Sequence, residues 1–213
     1  MNLSYGGRRD LFYERTSEEF LQRLVAGLQR VYPECYERTS DLPHPYQRYL
    51  CPHQRRVHAE LVLLTAGSAA GLTTRVATNT SNDGHALVLY DRFVITLSKI
   101  DAPNLPPRPA EFRRMYSGYA SLAQYPLGLD GFEAEAPVQV QNDASPVYVI
   151  VGHGPDPKHF SQLGFAHAHF VAPGGDRFFG DGLDLLGPYG PGESEGIHVP
   201  TPPRLPDILP RDG

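Results

Sequence analysis

One stretch, residues 146–171, constrains the fold more than any other part of the chain. It opens with Val147-Tyr148-Val149-Ile150-Val151, five consecutive β-branched or aromatic residues. A run of this kind is typical of a strand that is buried on both faces. We therefore predict an interior strand here and expect the rest of the chain to pack around it.

The residues after this strand predict a turn, a short helix and a second strand. Glycines and prolines crowd residues 152–157 and must turn the chain. Asp156 suits the N-cap of a helix and Pro157 its first position, so we expect a helix over residues 158–163 that ends at Gly164. Residues 165–171 then form a strand, which completes a strand–helix–strand unit.

Length and composition limit the class of protein. With 213 residues and 40% hydrophobic residues, the chain is long enough for one domain with a real core. The net charge of −5 provides no general basic field, so nucleic acid is not expected as the main ligand. Cys35 and Cys51 match no metal or redox spacing, and no apolar run is long enough to span a membrane or serve as a signal peptide. We therefore expect a cytoplasmic protein with reduced cysteines.

The periodicity along the chain predicts an α+β fold. Thr16 is the expected N-cap of a first helix that ends at Pro33, and Pro52 opens a second helix, with residues 34–50 as an irregular connection. The second helix should turn Val57, Leu61 and Leu64 inward. Three strands over 73–78, 85–90 and 93–99, and a helix after Pro109, precede the stretch described above.

The expected architecture is a mixed or antiparallel sheet with helices packed on it. The predicted order of elements is α-α-β-β-β-α-β-α-β. Residues 1–186 would form a single globular domain of this class, followed by a proline- and glycine-rich arm over residues 187–213.

Three histidines are candidate metal ligands. His167 and His169 are two residues apart on a predicted strand, which places both imidazoles on one face. His153 follows the neighbouring strand and could supply a third ligand for a divalent transition metal, giving a metal-dependent, hydrolase-type enzyme. The alternative is that His167 and His169 lie on the solvated face of an edge strand and that no cofactor is bound.

The predicted order helix, three strands, helix, strand over residues 52–151 resembles the restriction-nuclease-like core. The resemblance implies that Glu60 matches the acid on the helix and that Asp83 or Asp91 matches the metal-binding aspartate. Lys99 ends the third strand, but Leu97 stands where the Asp/Glu-x-Lys pattern of the family has an acid. The resemblance therefore implies a magnesium site that lacks one ligand, and an inactive relative.

The arm predicts a different kind of function. It holds twelve glycines and prolines in 27 residues, too many to build a core of its own. Five apolar side chains are spaced along it like anchors for shallow pockets on a protein surface: Ile197, Val199, Leu205, Ile208 and Leu209. The function we expect is therefore non-enzymatic: the protein binds a protein partner or assembles with copies of itself, and the arm is the interaction element.

Overall fold

The computed structural model describes residues 5–78, 84–119, 146–172 and 175–190. These ranges contain five helices and six strands, so the predicted α+β class is confirmed. In chain order the elements are α1 (Tyr5–Arg15), α2 (Glu18–Arg38), α3 (His44–Ala69), β1 (Thr73–Thr78), β2 (Gly84–Tyr90), β3 (Phe93–Lys99), α4 (Glu111–Tyr119), β4 (Val147–Pro155), β5 (Leu163–Phe170), β6 (Leu183–Asp184) and α5 (Leu186–Tyr189). No helix in the described ranges is long and apolar enough to cross a membrane.

The six strands form one mixed sheet in the order β1-β2-β3-β4-β5-β6. Neighbouring strands are antiparallel except β3 and β4, which run parallel from the pair Phe93–Val147 to the pair Lys99–His153. The chain between these two parallel strands includes α4, as expected for a crossover connection. β4 is thus an interior strand, as its sequence predicts.

Each face of the sheet has its own hydrophobic cluster. Val147, Val149 and Val151 join the main core, to which α2 and α3 contribute most of the helical residues. Tyr148 and Ile150 point to the other face, where Tyr116 of α4 and Phe178 pack on them. Because both faces are covered, β4 has no polar position in its first five residues, which explains the continuous apolar run.

The two long helices differ from the prediction at the ends that face each other. The N-cap of α2 is Ser17, whose hydroxyl accepts the Phe20 amide, and not the predicted Thr16; the helix continues through Pro33 to Arg38. α3 begins at His44 and passes through Pro52, so the predicted helix end, irregular connection and helix start over residues 33–52 are wrong. A proline inside a helix removes one backbone hydrogen bond. Here both helices continue because each buries side chains on the other beside the proline, including Tyr32, Cys35 and Cys51.

The inward face of α3 is only partly the predicted one: Leu64 packs against the main core, and Leu61 is partly buried. Val57 is 38% exposed, whereas the buried side chains include Arg55, His58, Ala59 and Val62. α2 and α3 pack closely where Gly27 faces Val62: a Cβ atom at Gly27 would overlap the valine side chain. The two helices thus form one tightly packed hairpin.

The predicted helix over residues 158–163 is absent. β4 extends to Pro155 and β5 starts at Leu163, so the unit is a β-hairpin rather than a strand–helix–strand unit. The capping interaction is nevertheless made, because the Asp156 carboxylate accepts the amides of Lys158 and His159 at 2.7 and 2.9 Å. A six-residue helix is too short to be stable by itself, and pairing β4 with β5 satisfies more backbone groups.

Candidate protein-binding surface and the histidine sites

Exposed apolar side chains are concentrated at one end of the α2–α3 hairpin. Nine large hydrophobic residues of the described chain are exposed, and five of them lie between residues 36 and 57. We call four of these the tyrosine tip: Tyr36, Leu42, Tyr46 and Tyr49. Scattered exposed apolar residues are normal on a protein surface, but their concentration in one segment is typical of an interaction site.

The tyrosine tip projects from the body of the protein. Five of the first six residues of α3 are exposed, and six residues cover more than one full turn of a helix. Within this part of α3 only Gln47 is partly covered by the described chain. Tyr46 and Tyr49 are 67% and 81% exposed, and their spacing of three residues makes them neighbours on the helix surface.

A buried polar cluster fixes the base of the tip to the sheet. The Tyr32 hydroxyl on α2 lies 2.8 Å from Nδ1 of His153 on β4. The Arg55 guanidinium of α3 lies over the Tyr32 ring at 4.7 Å from its centre, and it donates a hydrogen bond to the Phe160 carbonyl in the β4–β5 turn. These contacts tie α2, α3, β4 and the turn together, and Arg55 is six residues after Tyr49 on the same helix.

Burial keeps the Tyr32 phenol, the His153 imidazole and the nearby Cys35 thiol in their neutral forms. It lowers the pKa of His153 to about 4, with further lowering by Lys99 and Arg55, so the imidazole is neutral at pH 7. Burial also raises the pKa of the Tyr32 phenol and raises that of the Cys35 thiol to about 11. A neutral phenol, imidazole and thiol favour a structural role, since nucleophilic cysteines have a lowered pKa.

The structure does not bring the three candidate metal ligands together. In an antiparallel pair, residues opposite each other point to the same face. His167 is opposite Gly152 and His169 opposite Ile150, so both point to the α4 face, as the sequence predicts for that pair. His153 is opposite Ala166, on the face of α2 and α3. The sheet therefore separates it from the other two histidines.

The pair His167 and His169 is more enclosed than an edge strand would leave it. β5 lies between β4 and β6, and His169 is 1% exposed, so the alternative of a solvated face is wrong for this residue. Its ring stacks on Phe178 with centroids 4.1 Å apart and lies 6.0 Å from the His167 ring. Neither His169 nitrogen makes a hydrogen bond of acceptable geometry.

The pair has too few neighbouring ligands in the described ranges for a metal centre with three or more protein ligands. Burial lowers the pKa of His169 to about 4, His167 lowers it further, and the nearby Pro103 carbonyl partly opposes this. His167 Nε2 lies 3.9 Å from an oxygen of Asp184. Within the described ranges, no group of three or more histidine, cysteine or acidic side chains is close enough to hold a metal ion.

The residues implied by the nuclease resemblance are also not assembled into a site. Glu60 is half-buried and pairs with Arg56 at 3.5 Å, and burial raises the pKa of its carboxyl group. Asp91 lies in the turn that begins β3, whereas Lys99 ends that strand. Asp83 lies outside the described residues.

The five expected anchors of the arm also lie outside the described residues, because the described chain ends at Gly190. Their role therefore remains a prediction. The tyrosine tip and its support at Tyr32 and Arg55 were missed by sequence reasoning. The available signal was Tyr46 and Tyr49 at helical spacing, inside a segment whose prolines favoured an irregular connection.

Comparisons with known proteins give no relative for this chain: no family model, no curated protein and no solved structure matches it.

Proposed function

We propose that this protein binds a protein partner or a second copy of itself, and that the tyrosine tip is its contact surface. The observation that carries the proposal is the exposure of Tyr46 and Tyr49 in the first six residues of α3, five of which are exposed. Tyrosine is enriched at binding hot spots because it offers a large contact area and a hydroxyl group at a small cost in side-chain entropy.

The placement of the tip on rigid elements supports the same proposal. Contact residues bind well when the scaffold holds them in place before binding, because less freedom is then lost in the complex. Here the scaffold is the α2–α3 hairpin, fixed at its base by the contacts of Tyr32, Arg55 and His153. The buried cluster is thus assigned a positioning role, and the exposed tyrosines the binding role.

A comparison of two double variants tests the proposal. Tyr46→Ala with Tyr49→Ala removes the two most exposed tyrosines of the tip. Val76→Ala with Leu105→Ala is the matched control, since these apolar residues are 62% and 51% exposed elsewhere on the protein. Sedimentation equilibrium of the full chain measures self-association. A photo-crosslinking amino acid at position 49 or, as control, at position 76 detects a partner in cell extract.

We expect the tip variant to weaken association about tenfold or more, since truncation of one hot-spot residue costs more than about 1 kcal/mol. The control variant should remain within about twofold of the parent protein. The proposal is wrong if position 49 crosslinks no more than position 76 and if all three proteins sediment alike.

A further inference from the structure

The arm contains a proline-rich sequence of the kind that aromatic protein surfaces bind. Residues 200–206 read Pro-Thr-Pro-Pro-Arg-Leu-Pro and contain two overlapping Pro-x-x-Pro patterns. Such segments favour the polyproline II conformation, in which backbone carbonyls have no internal partner and proline rings line the surface. Surfaces rich in exposed aromatic side chains bind them, because aromatic faces pack on the proline rings and donors such as tyrosine hydroxyls bind the carbonyls.

The described chain ends close to the helix that leads to the tyrosine tip. α5 packs against α2, and a Cβ atom at Gly190 would lie 3.7 Å from the side-chain nitrogen of Gln29. Tyr36 is seven residues further along α2, about 10 Å at the rise of an α-helix. The arm therefore starts one short helical segment away from the tip.

The length of the arm is sufficient to reach the tip of the same chain. Nine residues lie between Gly190 and Pro200, and the ten residue steps at about 3.1 Å each span about 30 Å in the polyproline II conformation. A tether of this length keeps its ligand at a local concentration of about 1 mM, so a contact with a Kd below about 1 mM is occupied more than half of the time. The arm of a second molecule would have to compete with the tethered segment for the tip.

We propose that the tyrosine tip is a receptor for polyproline-type segments and that residues 200–206 of the same chain occupy it. The inference rests on the proposed function and names the chemical class of its ligand.

Fluorine NMR on the full chain tests this contact directly. The protein is labelled with 3-fluorotyrosine, and Tyr46→Phe and Tyr49→Phe assign the two tip signals. Thr201→Cys provides a site for a nitroxide spin label, and the native Cys35 and Cys51 are buried and react slowly. The label should cause selective loss of intensity at the signals of Tyr46 and Tyr49, while the signal of Tyr13 on α1 serves as the internal control.

A proline variant of the same full-length protein separates a specific contact from mere proximity. Pro200→Ala, Pro203→Ala and Pro206→Ala together keep the chain length but remove the rings and the conformational preference. In this variant the label at position 201 should no longer affect Tyr46 and Tyr49 more than Tyr13. Equal loss of intensity in the variant and the parent would overturn the inference.

A mixing experiment decides whether the arm binds its own chain. Spin-labelled protein without fluorine is mixed with fluorinated protein without the spin label. Signal loss at Tyr46 and Tyr49 in this mixture, as strong as in the doubly labelled protein, would overturn the assignment to the same chain. If the label has no effect on the tip while the tip variants still weaken association, the inference fails and the proposed function stands.

Discussion

Three buried histidines on the sheet make the stability of this protein depend on pH. His85, His153 and His169 are 7%, 1% and 1% exposed, and burial lowers the pKa of each to about 4. Positive neighbours lower these values further, including Arg113 for His85 and Lys99 for His153. Each folded-state pKa lies below the value of about 6.5 in an unfolded chain.

The sign of the effect follows from proton binding. Above about pH 6.5 the histidines are neutral in both states, and the full stability is present. As the pH falls from 6.5 towards 4, the unfolded chain takes up protons that the folded protein does not bind, so the free energy of unfolding decreases. At about pH 5 the loss is about 2 kcal/mol for each histidine, or about 6 kcal/mol for three. The free energy of unfolding of a typical domain is only about 5–15 kcal/mol in total.

Urea unfolding at about pH 7.5 and about pH 5, followed by far-UV circular dichroism, measures this loss. The chain has no tryptophan, so tyrosine fluorescence is the independent second probe. His169→Leu should reduce the loss by about a third, because leucine is close in volume and neither imidazole nitrogen makes a hydrogen bond of good geometry. A free energy of unfolding that changes by less than about 1 kcal/mol between the two pH values would refute the reasoning.

Three further substitutions test the packing. Gly27→Ala should lower the free energy of unfolding in urea by about 1–3 kcal/mol, because the added methyl group overlaps Val62. The further change Val62→Ala should restore most of this stability, and additive effects of the two substitutions would contradict the contact. Arg55→Met should lower the free energy of unfolding by about 1–3 kcal/mol, because the Phe160 carbonyl loses its hydrogen-bond donor. Arg55→Lys should not restore this stability, since lysine lacks the planar group that stacks on the Tyr32 ring. Asp156→Ala should speed hydrogen exchange of the two amides that its carboxylate accepts, and unchanged exchange would show that the turn does not depend on it.

The strands could be predicted from the sequence because their signals are local. β1 and β3 have the expected bounds, and the burial of Val149 follows from the apolar run around it. The alternation of side chains along a strand also places His167 and His169 on one face without any knowledge of the fold. Period and β-branching suffice for β2, β3, β4 and β5, since each of these strands has at least one face with buried residues and therefore little freedom in register.

The helix ends and the candidate site depended on tertiary contacts. The sequence marks Pro33 and Pro52 as helix boundaries, yet burial of Tyr32 and Cys51 between the helices stabilises the continued hairpin. The exposed position of Tyr46 and Tyr49 follows from that continuation, because an irregular segment would not present them side by side on a helix. A local preference at a proline is a few kcal/mol and can be overcome by side chains buried nearby.

The position of His153 shows most clearly what the sequence by itself does not decide. Its neighbours Gly152 and Gly154 predict a turn, which would free the histidine to join His167 and His169. In the fold the two glycines continue β4, because residues from elsewhere lie over them: Ile100 Cγ1 would be 3.1 Å from a Cβ atom at Gly152, and the Ile100 carbonyl oxygen 2.9 Å from one at Gly154. A glycine that permits a turn and one that permits close packing look identical in a sequence. Only the chain packed against it decides between them, and here that contact sends His153 to the opposite face of the sheet.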